Sequence, residues 1–402
     1  MQLQPLAAKA LASPVYDYGS GKVFVGDAGG FFYRVSAATG AVTQSSQLDH
    51  GTGIVSGPLV DSTAGVVYVF SSNDGSTACA SGPCAAVYRF ATGFASGGAG
   101  TKVAVGTSTA TPNSLYEGDL DSAYENSINA AGNLYVCGNT GGIPTLYQVH
   151  ITSGGVLGSV TTGPALATAA TGCSPVTDFL NSNAAGGATE FIFASVQANG
   201  TPCGTAGCIM NFKDTPWQPS TAYTVGQEIV DSNFQVQMVF AAGTSGTSVP
   251  AWSTSLVSPT DETPDGTGTL TWLNLGATTA VTPLPWVSKM AYNIGNFIED
   301  SNQNIEVMTA IGMNNKAGLN PPTWNTVVGQ TTIDAQLTWT NAGPAPGALA
   351  ASGGTSGVII DNIVETGVAG SQIYFSTQGN QATCGTATNV GCAVQASQAA
   401  LK

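Results

Sequence analysis

Lys22-Val23-Phe24-Val25-Gly26-Asp27-Ala28-Gly29-Gly30-Phe31-Phe32-Tyr33-Arg34-Val35 reads as a strand, a turn and a second strand. β-Branched and aromatic residues fill both runs, and Asp, Ala and two Gly supply the turn. Ahead of it stands Ser13-Pro14-Val15-Tyr16-Asp17, and the same opening returns at Ser56-Gly57-Pro58-Leu59-Val60-Asp61, Ser174-Pro175-Val176-Thr177-Asp178 and Ser356-Gly357-Val358-Ile359-Ile360-Asp361. Each opening leads through a Gly-containing turn into an apolar, aromatic strand: Val66–Phe70, Glu190–Ala194 and Gln372–Ser376 in the later copies. A weaker copy places Tyr124-Glu125-Asn126-Ser127 before Asn133-Leu134-Tyr135-Val136-Cys137. With a Trp-rich segment at 217–343 set aside, the copies recur about every 45–58 residues. Three or four strands per unit at that period read as propeller blades, because each sheet can bury its faces on its neighbours and leave only short edges.

Composition agrees. Of 402 residues, 43% are apolar, only 8% are charged and 52 are Gly. Long solvated helices need Lys, Glu and Arg, so short strands and many turns are expected. The net charge is −14 with nine Lys and Arg in all. No basic cluster exists to neutralise phosphates, so neither nucleic acid nor an anionic membrane surface is an expected partner. No run reaches about 18 consecutive apolar residues, so no membrane insertion is expected. Met1–Pro5 carries no secretory leader pattern. If the chain is exported, the leader has been removed or belongs to a longer precursor.

The first copy, continued by Ala38-Thr39-Gly40, resembles the repeat of secreted bacterial quinoprotein-type propellers, which alternate a strand, an Asp-Gly turn, a strand and an Ala-x-x-Thr-Gly turn. The resemblance covers about 35 residues and implies a fold. That family often places a docking Trp after the Thr-Gly, and its quinone cofactor needs a Trp floor and a Ca²⁺ site. Here Ala41-Val42-Thr43-Gln44 follows, and the blades contain no Trp. No cofactor is therefore expected.

Eight cysteines form three local pairs, Cys79/Cys84, Cys203/Cys208 and Cys384/Cys392, each opening eight residues after a strand-ending serine (Ser71, Ser195, Ser376). That recurrence predicts a disulfide between the second and third strands of a blade, each worth roughly 2 kcal/mol by loop closure. Cys137 and Cys173 pair by elimination. The chain has two histidines, His50 and His150, and no Cys-x-x-Cys, so no metal site is expected. Four disulfides imply an oxidising compartment, hence an extracellular or cell-surface location.

All six tryptophans fall in a duplicated segment. Trp217, Tyr223, Gly226, Asp231, Trp252 and Trp272 match Trp286, Tyr292, Gly295, Asp300, Trp324 and Trp339. The Trp-x5-Tyr-x2-Gly opening is similar to that of small chitinase-type carbohydrate-binding modules, and the resemblance implies a polysaccharide ligand stacked on exposed Trp and Tyr rings. Equally, domains of this size need large side chains as core. On the core reading each module is expected to fold alone.

Catalytic signatures are lacking: two histidines leave little for a Ser-His-Asp or Cys-His site, and there is no Walker loop or His-Glu-x-x-His. Asp119, Asp121 and Glu125 form the densest carboxylate group. They read as a polar turn, with a Ca²⁺ site or a glycosidase acid/base pair as rivals.

The sequence thus predicts an all-β protein of about five propeller-like blades. Blades 1–4 fill 1–214, two modules span 215–277 and 278–345, and a last blade spans 346–402. The expected role is non-enzymatic: an extracellular structural or adhesive protein, a homo-oligomer or a filament joined by terminal strand pairing. A carbohydrate-binding surface protein and a propeller glycosidase are the alternatives. Leu3, Leu6 and Leu11 give residues 1–12 the apolar content such pairing would use.

Overall fold

The computed structural model describes residues 9–79, 82–109, 112–181, 189–214, 217–223, 227–231, 233, 235–255, 260–277, 286–292, 294, 296–302, 304–327, 329–344, 348–361 and 372–397. The chain is all-β, built of small antiparallel sheets.

Five sheets follow the repeated openings. Sheet 1 comprises Val15–Asp17, Lys22–Gly26, Phe31–Ser36 and Val42–Gln47, side by side in chain order. Sheet 2 repeats this with Leu59–Asp61, Val66–Ser71, Cys84–Ala91 and Thr101–Thr107. Sheet 3 holds Asp119–Leu120, Gly132–Thr140, Ile143–Thr152 and Val156–Ala165. Sheet 4 begins with Thr177–Asn181, Thr189–Val196 and Cys208–Asp214, and sheet 5 pairs Ile359–Asp361, Gln372–Ser376 and Ala393–Ser397.

The sheets stack face to face in chain order. Phe24 and Phe32 of sheet 1 pack on Val67, Val69 and Phe90 of sheet 2. Tyr68 and Val87 on the opposite face of sheet 2 meet Leu134 and Val149 of sheet 3. Tyr135 and Leu146 meet Ile192 and Met210 of sheet 4, and Phe191 and Phe193 meet Ile373 and Phe375 of sheet 5. A strand covered on both faces has no polar side to alternate with, which is why Val66–Phe70 reads as a continuous apolar run and lies buried throughout. Asp49, 1% exposed, ties the first connection: its carboxylate accepts from the Gly51 and Gly53 amides (2.7 and 2.8 Å) and from the Ser71 and Ser72 hydroxyls (3.0 and 2.8 Å).

Three placements differ from the sequence reading. The fourth strand of sheet 4 is Ala348–Ala350, paired with Cys208–Met210. The modules are therefore inserted between the third and fourth strands of sheet 4, and Ala348–Ala350, which the sequence reading places in the last blade, completes the fourth. Ala-Leu-Ala has no strand signal of its own; the preformed edge of Cys208–Met210 supplies it. In sheet 3 the opening strand is Asp119–Leu120, five residues before Tyr124. Ser122–Glu125 is a helical turn instead, capped by the Asp121 side chain accepting from the Tyr124 amide at 2.8 Å. The Cys384/Cys392 loop carries its own hairpin, Gln381–Cys384 with Ala387–Val390.

Each module is a four-stranded sheet. Module 1 orders Glu228–Val230, Gln235–Ala241, Thr271–Ala277 and Glu262–Pro264; module 2 orders Phe297–Glu299, Asn304–Ile311, Leu337–Pro344 and Thr331–Asp334. They do not stand apart. Val236, Met238 and Leu273 of the first share one buried cluster with Ile305 and Val307 of the second.

Candidate functional site

All eight cysteines stand as the sequence pairs them: Cys79–Cys84, Cys137–Cys173, Cys203–Cys208 and Cys384–Cys392, with Cα separations of 5.4, 6.4, 5.8 and 5.6 Å. The local pairs close the connections between the second and third strands of sheets 2, 4 and 5, and Cys137 ties sheet 3 to the segment entering sheet 4. Among the described residues no cluster of three or more His, Cys, Asp or Glu could hold a metal, and no helix is long and apolar enough to cross a membrane.

The tryptophans turn inward. Trp272 and Trp339 are 0% exposed. Tyr223 and Trp252 meet the Trp272 ring edge-to-face at 4.8 and 5.7 Å, and Tyr292 and Trp324 meet Trp339 at 5.0 and 6.0 Å. One buried carboxylate organises each cluster. Asp265 Oδ2 accepts the indole N–H of both Trp217 (2.6 Å) and Trp272 (2.9 Å), while its Oδ1 accepts the Gly246 amide at 2.8 Å. In module 2 Asp334 repeats this with Trp286 (2.8 Å), Trp339 (3.3 Å) and the Gly318 amide (2.7 Å). The clamp satisfies polar N–H groups that burial would otherwise strand. Tyr223 and Tyr292 have buried rings whose hydroxyls accept backbone amides from Gln218 and Val287. Trp217, Trp252 and Trp286 are half-buried against the same cores. Gly226 and Gly295, which complete the opening motif, lie outside the described residues.

Asp231 and Asp300 make matching turns, each accepting two backbone amides two and four residues on. Behind each lies a buried residue on the next strand, Gln237 in module 1 and Glu306 in module 2, both 0% exposed. Gln237 Nε2 donates to Asp231 at 2.9 Å. Burial, then the charge of Asp300, pushes the Glu306 carboxyl up to about 8.

The carboxylate group at sheet 3 serves the backbone. Asp121 accepts the Tyr124 and Asn133 amides and the Asn133 side chain at 2.7–2.9 Å. Asp119 accepts the Leu120 and Asp178 amides at 3.0 Å, and burial raises its carboxyl to about 6. Burial also raises Glu125, reinforced by the charge of Glu190. No family model and no curated protein sequence matches the chain.

The two ends of the stack carry exposed apolar side chains. No buried cluster among the described residues joins sheet 1 to sheet 5. The outer face of sheet 5 forms a groove of about 460 Å³ lined by Ile359, Tyr374, Ala393 and Gln395 among others, with Ile359 68% exposed. On sheet 1, Tyr16 and Val42 are 52% and 47% exposed. Leu3 and Leu6 lie outside the described residues; Leu11 is exposed and bridges Asp27.

Proposed function

We propose that this chain is a non-enzymatic extracellular structural protein, the self-assembling subunit of a surface filament or adhesive. One observation carries the reading: among the described residues no buried cluster joins the first sheet to the last, the last sheet carries an apolar groove with Ile359 68% exposed, and the first exposes Tyr16 and Val42. Such surfaces favour association in water. The two faces belong to different sheets, so a contact between them is heterologous and repeats along a line unless it closes into a ring. The edge strand Ala393–Ser397 adds backbone donors and acceptors for strand pairing with another copy. Four disulfides suit life in an oxidising compartment. Low surface charge permits close packing of identical subunits.

The oxidised full chain, followed by light scattering and negative-stain microscopy, should show mass rising with concentration and linear particles. A monomer at every concentration reached overturns the proposal.

A further inference from the structure

A single rule governs the contacts within the stack. On the face that each sheet turns to its successor, an aromatic residue of the second strand stands beside a polar residue of the third. The pairs are Phe24/Arg34 in sheet 1, Tyr68/Arg89 in sheet 2, Tyr135/Gln148 in sheet 3 and Phe193/Asn211 in sheet 4. These four aromatics are between 0% and 1% exposed, because the next sheet covers them. In the first two contacts the polar partner reaches across to the successor's turn between third and fourth strands. Arg34 Nε donates to the Phe94 carbonyl at 2.7 Å. Arg89 donates to the carbonyls of Gly155 and Gly154 at 2.6 and 2.8 Å, and the Tyr68 hydroxyl donates to Gly155 at 2.9 Å. Gly154 and Gly155 have φ of 80° and 68°, a left-handed turn that aims both carbonyls back at sheet 2.

Sheet 5 carries the same pair, Tyr374 beside Gln395, with Gln395 Nε2 donating to the Tyr374 hydroxyl at 3.2 Å. Gln148 and Tyr135 make that bond under cover of sheet 4 at 2.6 Å. Ile359, opposite Tyr374, takes the place that Leu59 holds opposite Tyr68, yet Leu59 packs into a core and Ile359 stands open. Sheet 1 carries the matching receiving face. Val23, Val25 and Tyr33 occupy the register of Val67, Val69 and Tyr88, the face by which sheet 2 receives sheet 1. Val25 lies buried at its centre, Tyr16 and Val42 are exposed at its flanks, and the turn Ala37–Ala41 carries Gly40 with φ of 74°.

We infer that the occupant of the outer face of sheet 5 is sheet 1 of a second copy, docked as a sixth sheet by the rule that stacks the first five. Ile359 and Tyr374 pack on Tyr16, Val23 and Tyr33 of the neighbour, and Gln395 donates to a carbonyl of its 37–41 turn. This rests on the proposed filament and specifies its joint.

Full-length Ile359→Arg blocks the giving face and full-length Val42→Arg the receiving face; both positions are exposed, so folding is preserved. Each variant alone should associate at least roughly a hundredfold more weakly than the parent. An equimolar mixture should stop at a heterodimer, since each partner retains one good face. If the parent polymerises and either variant polymerises equally, the joint is wrong while the filament stands. If the parent is a monomer indifferent to both substitutions, sheet 5 meets no second copy, and both joint and filament fall.

Discussion

The two Trp modules are one design carried out twice, and the place where they part is informative. Both set three tryptophans and a tyrosine around an aspartate clamp, and both turn on a second aspartate, Asp231 or Asp300. Behind that second aspartate module 1 places Gln237 and module 2 places Glu306, at the same depth and in the same register to Asn274 and Asn341. A glutamine always offers N–H groups to a neighbouring carboxylate. A glutamate can act as a donor only while protonated. Module 2 thus sets a buried acid, held protonated to about 8 by burial and the charge of Asp300, where module 1 sets an amide. The shared parts fix packing, and the divergent part sets the pH range over which packing holds.

The largest effect is expected where the modules agree. Trp272→Ala and Trp339→Ala each remove a fully buried ring and leave Asp265 or Asp334 with one indole partner. Each should destabilise its module by about 3–5 kcal/mol, with similar values in the two. Urea unfolding of the full chain, read by tryptophan fluorescence, measures both. Because Val236, Met238 and Leu273 are shared with Ile305 and Val307, each substitution should also loosen the sister module; independent transitions would show the shared cluster to be energetically idle.

The next effect lies where they differ. Unfolded, Glu306 releases its proton near its ordinary value of 4.5; folded, it holds the proton to about 8. The stability it supports is full below the lower value, falls by about 1.4 kcal/mol per pH unit between the two, and levels off above the upper. Glu306→Gln should remove that slope from module 2, and Gln237→Glu should introduce it into module 1. The measurement is the difference in urea midpoint between parent and variant from pH 5 to pH 8. Using the difference cancels the contributions of Asp119 and Asp231, which are also raised by burial. A parent and Glu306→Gln variant that run parallel across that range would leave the two positions equivalent.

How much of this could be read from the chain follows from where each constraint is written. The local cysteine pairs were legible because their register after Ser71, Ser195 and Ser376 is a local property of one hairpin loop. The strands were legible because two-sided burial demands unbroken apolar runs. Ala348–Ala350 was not, since its partner lies 140 residues away and its own side chains carry no pattern. The pairing of Phe24 with Arg34 and Tyr68 with Arg89 becomes visible only once strand register is known. Asp265 and Asp334 were missed because they stand seven and five residues before the following Trp, which hides the repeat. Their separation from the opening Trp is 48 in both modules, and that constant spacing was the available signal.

The smallest effect tests whether the two clamps are equivalent at their outer arm. Trp217 and Trp286 are only half-buried, so replacing either by Phe keeps most of the packing and deletes one N–H donor to a carboxylate. A hydrogen bond to a charged group is worth about 1.5–3 kcal/mol when buried, and partial exposure lowers it to about 1 kcal/mol. Trp217→Phe and Trp286→Phe should therefore each cost about 1 kcal/mol, against several for the inner tryptophans. If the outer rings serve the fold alone, neither substitution should alter retention of the full chain on chitin or cellulose. Loss of such retention at unchanged urea midpoint would assign the outer rings to a ligand and favour the carbohydrate-binding reading of the modules.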